Sequence, residues 1–378
     1  MARGTSACSV PAASLGRANG ARDKAPRRRA RSNATDAAVP ARAQRSPRLK
    51  DVAKAAGVHV STASRALNAQ TAAMVQWETQ ERVRLAAAEL GYQVNGMARA
   101  LKTQRSMSIG MVVPDITNPF FPPAVRGAEQ ALAEAGFSLL LSSTDNDVEK
   151  GQRQLGTMIE ARVDGLLLAM VQRRDPLVDR LRSSGIPTVL FNRTVDGDGM
   201  SSVVPDDALG SRLAVAHLHE LGHRRIGLVV GPLFTSNGDR RRRAFRRAIQ
   251  RLGLESHIVE ATAFDEESGY RAARQLISEY PTMTAVVAGN DLLALGVIDA
   301  ATDAGLSCPT DLSVVGFNDM PLANRLQPPL TTVSVPEHEL GRLAAECLLA
   351  LIADRDLPPA RIVVPVTLVV RGSTAPPR

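Results

Sequence analysis

Residues 48–68 read RLKDVAKAAGVHVSTASRALN, and this stretch decides the fold of the N-terminal part of the chain. Its first helix is predicted by four apolar residues on one helical face: Leu49, Val52, Ala53 and Ala56. Gly57 then permits a tight turn, and residues 60–68 are predicted to form a second short helix. Two short helices joined by a glycine-containing turn are typical of a helix-turn-helix unit.

A third helix is predicted from about Trp77 to Leu90. Glu78 and Glu81 suit the positive end of its dipole, and Gly91 can end it as a C-terminal cap. Its apolar stripe consists of Val83, Ala86, Ala87 and Leu90. We therefore expect a small all-α, helix-turn-helix domain over 47–94.

Positive charge is concentrated at the N-terminal end. Residues 1–50 hold 12 Lys and Arg against 2 Asp and Glu, whereas residues 106–378 hold 27 against 32. A basic end on an acidic body indicates that the N-terminal part meets a polyanion. Residues 1–46 show no apolar periodicity and are expected to be a disordered basic tail, which alone could account for the excess.

From residue 106 onward, short apolar runs alternate with helical stretches. The runs are SIGMVVP (108–114), SLLLSS (138–143), GLLLAM (165–170), PTVLFN (187–192), RIGLVVG (225–231), HIVEAT (257–262), AVVAGN (285–290) and SVVGFND (313–319). Apolar strands separated by helices predict parallel sheets that are covered on both faces. The cycle occurs twice, so we predict an α/β fold with two doubly wound lobes. Their predicted bounds are about 106–203 with 335–353, and about 204–331 with 360–372, the last strand covering 361–370.

The opening stretch, followed by ERVRLAAAELGYQVNGMARALKT (81–103), resembles the DNA-binding head of the LacI/GalR family. Further segments resemble the family in the same order: DITNPFF (115–121), VDGLLL (163–168), HLHELGHRRIGLVVGP (217–232), AVVAGNDLLALG (285–296), DLSVVGFND (311–319) and PPLTTVSVP (328–336). The resemblance covers about 47–372. It implies a transcription regulator, most often a repressor, that binds double-stranded operator DNA as a homodimer or a tetramer. It also implies a sensor domain of 106–372 that is similar to type I periplasmic sugar-binding proteins and binds a small, sugar-like effector between its lobes.

The resemblance makes residues 60–68 the recognition helix that enters the major groove. It implies base contacts for Val60, Ser61 and Arg65. The candidate DNA-contacting residues of the head are Val60, Ser61, Thr62, Ser64, Arg65 and Asn68. For the hydroxyl residues, helix capping and surface solvation are the alternative.

Residues 95–105 are predicted to be a hinge helix and linker. The segment NGMARALK (95–102) resembles the family hinge, and Gly96 makes it a poor helix by itself. We expect it to fold only on DNA, with Leu101 as a wedge in the minor groove and Lys102 against groove or backbone acceptors. An ordinary linker whose leucine covers the core is the alternative.

The head departs from the family pattern at three places. His59 replaces the usual capping serine, residues 69–74 form a longer loop, and Gln76 with Trp77 replaces the usual start of the third helix. We expect each lost cap to cost about 1 kcal/mol of stability.

Ligands of doubly wound sheets bind beyond the carboxyl ends of the strands, which is where most candidate ligand residues stand. Phe120 and Phe121 follow the first strand, and flat phenyl rings suit the apolar face of a sugar, although core packing between lobes is the alternative. By resemblance Arg241 clamps ligand oxygens, while Asn318 replaces a usual aspartate. The candidate ligand residues are Phe120, Phe121, Asn192, Arg193, Arg241, Asn290, Asp291 and Asn318, with Asp145 and Asp207 as weaker ones.

No catalytic motif, phosphate loop or metal-ligand spacing occurs in the sequence, and no apolar run is long enough to span a membrane. We expect no enzyme activity, no cofactor, no metal, no membrane contact and a cytoplasmic location. His219 and His223 could hold a metal in principle, because they are four residues apart. Two other functions remain open: a solute-binding receptor of a transporter, which would need a signal peptide, and an enzyme on a doubly wound fold. The effector, the operator sequence and the sign of regulation are left open.

Overall fold

The structure is a computed structural model that describes residues 47–68, 71–92, 105–197 and 199–378. The chain divides into two compact units, Met1–Val94 and Asn95–Arg378. The predicted tail over 1–46 lies outside the described residues, as does most of the predicted hinge, including Leu101 and Lys102.

The first unit contains the three predicted helices. They are α1 (Leu49–Ala55), α2 (Val60–Ala66) and α3 (Trp77–Glu89), with a 3-10 turn at Ala72–Met74. Gly57 has a φ of 63°, a left-handed conformation that glycine adopts without strain, and this lets α2 turn away from α1. The core is small and rich in alanine: Val52, Ala53, Ala56, Ala63, Ala66, Val83, Ala86 and Ala87. The all-α helix-turn-helix prediction is therefore confirmed.

The second unit has two six-stranded sheets with helices on their faces. The strands are β1 (Ser108–Val113), β2 (Ser138–Ser143), β3 (Gly165–Leu168), β4 (Thr188–Phe191), β5 (Ser201–Pro205), β6 (Arg225–Val230), β7 (Glu255–Glu260), β8 (Ala285–Ala288), β9 (Ser313–Asn318), β10 (Thr331–Ser334), β11 (Arg361–Val364) and β12 (Thr367–Val369). The helices are α4 (Phe121–Glu134), α5 (Val148–Glu160), α6 (Pro176–Ser184), α7 (Asp207–Glu220), α8 (Ser236–Leu252), α9 (Glu266–Glu279), α10 (Asp291–Asp303) and α11 (Glu337–Ala353).

The two sheets define two lobes. The first has the strand order β11-β5-β4-β3-β1-β2, and the second has the order β12-β10-β9-β8-β6-β7. The central strands β3, β4, β8 and β9 are buried along their whole length, as expected for parallel strands that are covered on both faces. Among the described strands, only β12 pairs antiparallel, with β10. The predicted α/β fold with two doubly wound lobes is confirmed.

The end of the chain differs from the prediction of one strand over 361–370 in the second lobe. Residues Arg361–Val364 pair in parallel with β5 in the first lobe, whereas Thr367–Val369 pair with β10 in the second. Pro365 stands between the two strands and has no N–H to donate to a sheet, which explains why the strand is interrupted there.

The second lobe also extends beyond the predicted bound at 372. Ser373 is fully buried, its backbone oxygen accepts a hydrogen bond from Val314, and its hydroxyl accepts one from the backbone N–H of Thr331. Residues 373–375 therefore run past the amino ends of β9 and β10 and belong to the second lobe.

Helices α4 and α11 pack closely against each other in the first lobe, and two glycines allow this. A Cβ atom added at Gly127 would lie 1.9 Å from the backbone oxygen of His338, and one added at Gly341 would lie 1.8 Å from that of Ala124. Side chains at these positions would force the helices apart. Within the described ranges, no helix is long and apolar enough to cross a membrane.

Candidate ligand cleft and nucleic-acid-binding surface

A cavity of about 500 Å³, including its open mouth, lies between the two lobes of the second unit. Pro114 and Asn192 line it from the ends of β1 and β4, while Asn290 and Asn318 line it from the ends of β8 and β9. The carboxyl ends of both sheets therefore meet at one cleft, as expected for doubly wound folds.

Seven of the eight predicted ligand residues line this cavity: Phe120, Phe121, Asn192, Arg193, Arg241, Asn290 and Asn318. The structure thus brings together residues that are up to 198 positions apart in the sequence.

The two phenylalanines belong to the apolar core and also line the cavity. Their rings meet edge to face with centroids 5.1 Å apart, and each residue is 3% exposed within the main apolar core. Asn118 fixes the turn before them, because its backbone and side-chain oxygens accept the N–H groups of Phe121 and Phe120. The rings are thus rigid parts of the core with an edge on the cavity.

Arg241 on α8 is held by a buried ion pair. Its Nε donates to Asp207 Oδ1 over 2.8 Å, its Nη1 donates to the backbone oxygen of Gly289, and its guanidinium lies 3.6 Å from the centroid of the Phe317 ring. Burial raises the pKa of Asp207 above its ordinary value, while the adjacent guanidinium acts in the opposite direction. Asp207, a weaker candidate, therefore positions and neutralises Arg241 and does not line the cavity.

Arg193 follows β4 and has a different environment. It is 6% exposed, and its Nε is buried without a hydrogen-bond partner. Its guanidinium lies 5.5 Å from the centroid of the Phe264 ring. Burial, with a smaller contribution from the nearby charge of Arg241, lowers the pKa of Arg193 to about 10, so the side chain remains a cation at neutral pH.

The three predicted asparagines of the wall divide into two kinds. Asn290 caps α10, since its Oδ1 accepts from the N–H of Leu293, and its Nδ2 donates to the backbone oxygen of Phe264 over 3.3 Å. Asn192 and Asn318 are buried, and their side-chain amides make no hydrogen bond to any described residue. Each offers a donor and an acceptor to ligand hydroxyls.

Asp291 was predicted to bind ligand, but the structure does not place it in the wall of the cavity. Its Oδ1 accepts from the hydroxyl of Thr332 over 2.5 Å, and its Oδ2 accepts from the N–H of Met320 over 2.7 Å. As the first residue of α10 it points back toward the sheet and is 1% exposed. Both carboxylate oxygens are therefore used to join α10 to the second sheet.

Sequence reasoning missed several lining residues: Asp115, Asn118, Asn146, Asn237, Phe264 and Asp265. Asn146 follows β2, and Phe264 with Asp265 follows β7. Applying the strand-end rule to these two edge strands as well would have found three of them. Asn237 lies in the first turn of α8, and no sequence pattern distinguishes it.

A second cavity of about 450 Å³ lies beside the first and shares Pro114, Asn146 and Arg193 with it. Gln152 and Gln172 of the first lobe and Phe234 of the second also line it. Arg193 therefore stands in the wall between two adjoining spaces.

In the first unit, α2 presents a polar face. Ser61 and Arg65 are exposed and four residues apart, so they lie on the same side of the helix, while Ala63 and Ala66 are buried in the core. The other head candidates, Val60, Thr62, Ser64 and Asn68, are half-buried around them. No described carboxylate lies within ion-pair distance of Arg65.

The expected loss of the cap at His59 is wrong. His59 is the N-cap of α2, and its Nδ1 accepts from the N–H of Ser61 over 3.3 Å and lies 2.8 Å from the Ser61 hydroxyl. An imidazole nitrogen thus takes the place of a serine oxygen. The expectation for Gln76 agrees with the structure, where its side chain makes no capping bond to α3.

His223, one of the two histidines considered for a metal, makes hydrogen bonds within the second lobe. His223 is 1% exposed, with Nδ1 2.8 Å from the Thr284 hydroxyl and Nε2 2.9 Å from the backbone oxygen of Ala375. No group of three or more potential metal ligands occurs among the residues that the structure describes.

Comparisons with known proteins agree with this arrangement. Residues 48–95 match bacterial regulatory proteins of the lacI family, and residues 215–374 match a periplasmic binding protein-like domain. The chain is 37% identical over 329 residues to the ribose operon repressor of Escherichia coli K12, covering 86% of this chain and 99% of that protein.

Two solved structures are similar as well. A lac repressor dimer bound to operator and the anti-inducer ONPF is 28% identical, with a TM-score of 0.79, 88% of this chain and 100% of that chain being covered. A LacI family regulator from Enterococcus faecium with bound ribose is 30% identical, with a TM-score of 0.63, 71% of this chain and 99% of that chain being covered.

Proposed function

Since the chain belongs to the LacI family of bacterial regulatory proteins, we propose that it is a dimeric repressor whose α2 reads an operator and whose interlobe cavity binds a sugar-sized effector. It is a DNA-binding transcription regulator under ligand control, and the residues that carry these two tasks are our assignment. The observation that supports the sensor role most directly is the convergence of seven predicted ligand residues on one cavity.

The proposed operator contact centres on Arg65. Its guanidinium is exposed and free of any described carboxylate, so it can donate to both O6 and N7 of a guanine in the major groove. Ser61, on the same face, lies one turn nearer the start of the helix. Thr62 and Ser64 flank this face and are proposed to bind phosphates, which set the register of the helix without reading the sequence.

The proposed effector contacts come from both lobes. Phe120 and Phe121 offer apolar ring edges, Asn192 and Asn318 offer unpaired amides, and Arg241 is held in place by Asp207. A ligand that touches both lobes binds best at one angle between them. It therefore shifts the lobes toward that angle, and it controls operator affinity only to the extent that its affinity differs between the two states.

We further propose that the protein works in the cytoplasm and catalyses no reaction. The named relatives are repressors, and the polar groups that line the cavity are mostly asparagine amides, with two carboxylates and two guanidinium groups and no paired nucleophile and base among the lining residues. The alternative of a transporter's solute-binding receptor does not account for the helix-turn-helix unit.

The test is a gel-shift titration with the intergenic DNA upstream of the gene, with random DNA as competitor. Arg65→Ala is expected to weaken specific binding by about tenfold to a hundredfold, the worth of one bidentate base contact. Arg84→Ala is the matched control, because it removes an equal charge from an exposed position on α3, and it should change operator affinity less than about threefold. Equal loss in both variants, or in neither, would remove α2 from the role of recognition helix.

A further inference from the structure

Resting on the proposed function, we propose that the effector is an acidic metabolite, a hydroxylated carbon skeleton bearing a carboxylate or a phosphate, and that Arg193 binds its acidic group. The neutral sugars named for two relatives would then not be the ligands of this chain.

Arg193 carries a buried positive charge. Arg193 is 6% exposed, and its Nε has neither a protein partner nor contact with solvent. A buried charge without a counterion is strongly unfavourable, and folded proteins rarely keep one unless it is paired. No described carboxylate lies within 4 Å of its guanidinium.

Other buried charges of the same unit are compensated, in contrast to Arg193. Arg241 pairs with Asp207, and Asp239 is paired with Arg173 and with two arginines of its own helix. Asp291 accepts two hydrogen bonds. The uncompensated charge is the one whose side chain lines the ligand cavity, so the missing counterion is best supplied by the ligand.

The acidic residues of the cavity do not fill this role. Asp115 accepts from the backbone N–H and the hydroxyl of Thr117, over 2.8 and 2.7 Å. Asp265 is exposed and caps α9 by accepting from the N–H of Ser268. The neighbouring charge that acts on Arg193 is instead that of Arg241, a second cation, which lowers the pKa of Arg193. The wall at Arg193 therefore favours an anion.

The Phe264 ring compensates the positive charge of Arg193 only weakly. The Phe264 ring lies 5.5 Å from the guanidinium, at the outer limit of a cation–π contact, and it donates no lone pair to the N–H groups. A guanidinium has five N–H donors in a planar fork that matches a carboxylate or a phosphate. A neutral hydroxyl would satisfy one or two of these donors but not the charge.

The position of Arg193 indicates how such a ligand would lie. The residue stands between the main cavity and the second cavity, which shares Pro114 and Asn146 with it. A hydroxylated skeleton would lie against Phe121 and the free amides of Asn192 and Asn318. Its acidic group would lie against Arg193, at the boundary between the two spaces.

The experiment is isothermal titration calorimetry of the full chain with matched pairs of compounds that share a skeleton. The pairs are ribose with ribonate, ribose with ribose 5-phosphate, glucose with gluconate, and glucose with glucose 6-phosphate. We expect the acidic member of at least one pair to bind about tenfold to a hundredfold more tightly than its neutral partner, the usual worth of a charge-assisted contact. The pair that shows the preference distinguishes a carboxylate from a phosphate.

Three variants assign the preference to Arg193. Arg193→Gln should abolish it, and Arg193→Lys, which keeps the charge but loses the fork, should retain part of it. Arg180→Gln on exposed α6 removes an equal charge from the same lobe and should leave it unchanged. Arg193→Gln should also raise the melting temperature of the ligand-free protein, because it removes an uncompensated buried charge.

Three results would overturn the inference: no acid of the panel binds, a neutral member binds as tightly as its acid, or Arg193→Gln leaves the preference intact. Gel shifts with the same compounds separate this failure from that of the proposed function. A neutral sugar that alters operator binding would leave the regulator standing and remove the acidic effector. If an acid binds tightly but the protein prefers no DNA sequence over random competitor, the acidic ligand would be supported and the proposed regulator would be removed.

Discussion

The Asp207–Arg241 ion pair makes a quantitative prediction about the stability of the sensor. Asp207→Asn keeps the shape of the side chain and an oxygen that can accept from Arg241 Nε, but it removes the charge. Both side chains are at most 4% exposed and the bond is 2.8 Å long, so solvent cannot replace the lost counterion. Removing one partner of a buried pair costs about 3–5 kcal/mol because it leaves the other charge uncompensated, and we expect the lower end because the hydrogen bond is retained and burial already disfavours the ionised form of Asp207.

Arg193 makes this loss larger than it would be for an isolated pair. The two guanidinium groups are close enough for the charge of Arg241 to lower the pKa of Arg193, so the variant would leave two neighbouring cations without a carboxylate. A loss of about 3 kcal/mol corresponds to a fall of about 5–10 °C in melting temperature for a domain of this size. If the effector is acidic, the same variant should bind it more tightly while being less stable.

The assay is urea denaturation of the full chain, followed by circular dichroism, for Asp207→Asn and for an apolar double variant. Asp207→Leu combined with Arg241→Met should recover most of the free energy of unfolding, because an apolar pair removes both buried charges together. Asp179→Asn, in an exposed i,i+3 pair with Arg182, is the matched control and should be nearly neutral. A free energy within 1 kcal/mol of wild type for Asp207→Asn, or a double variant as unstable as the single one, would refute the reasoning.

Three further predictions follow from the same structure. Gly127→Ala should lower the free energy of unfolding by about 1–3 kcal/mol or more, because its Cβ would meet a backbone oxygen of α11. Gly156→Ala in α5 should instead raise it by about 0.5–1 kcal/mol, because nothing lies within 4 Å of the added Cβ. Equal effects of the two variants in urea denaturation would contradict the packing argument. Burial raises the pKa of Glu337 to about 8, so the folded state holds its proton more tightly than the unfolded state, and wild type should lose roughly 4 kcal/mol relative to Glu337→Gln as pH rises from 4.5 to 8; a stability difference between the two proteins that stays constant across that range would disprove it. His59→Ala should lower the free energy of unfolding of the helix-turn-helix domain by about 1 kcal/mol, whereas His59→Ser should leave it unchanged. Thermal melts of the full chain measure this, and an unchanged melting transition of that domain in His59→Ala would mean that the imidazole does not cap α2.

The sequence allowed the fold to be predicted where periodicity carries the information. Runs such as SVVGFND are apolar throughout, so the buried parallel strand at β9 could be identified without its neighbours. The assignment of 361–370 was wrong because the choice of lobe for a strand after a crossover depends on which sheet edge is free, and this is a tertiary fact. Pro365 was visible in the sequence, but its effect became clear only once β5 and β10 were known to be the two edges.

The candidate site could be predicted to the level of strand ends but not to the level of side-chain direction. Asn290 and Asp291 are neighbours at the end of β8, yet Asn290 is the N-cap and faces the cavity, while Asp291 begins α10 and points into the sheet. A difference of one position at the start of the helix therefore determines whether a side chain lines the cavity or bonds to the sheet. The pairing of Arg241 with Asp207, 34 residues away, likewise depends on how α7 and α8 pack, so the sequence could not distinguish the compensated arginine from Arg193.

The surroundings of Arg193 connect ligand charge to the angle between the lobes. The next residue, Thr194, accepts Arg240 at its hydroxyl over 2.6 Å and donates its backbone N–H to Ser236 Oγ over 2.8 Å, both on α8 of the other lobe. Arg173 makes a further link, since its N–H donates to the backbone oxygen of Phe234 and its guanidinium pairs with Asp239.

These links between the lobes therefore begin one residue beyond the proposed ligand contact. An anion that pulls the Arg193 guanidinium toward the cavity would act on a backbone segment that already holds the other lobe, and its binding energy would be divided between the contact and the lobe angle. Substituting Thr194 by Val, which removes the hydroxyl but keeps the backbone bond, should leave ligand affinity within about threefold while reducing the ligand-induced change in operator affinity. Calorimetry and gel shifts on the same preparation would measure both quantities, and an unchanged operator response would show that the coupling between lobes does not pass through this segment.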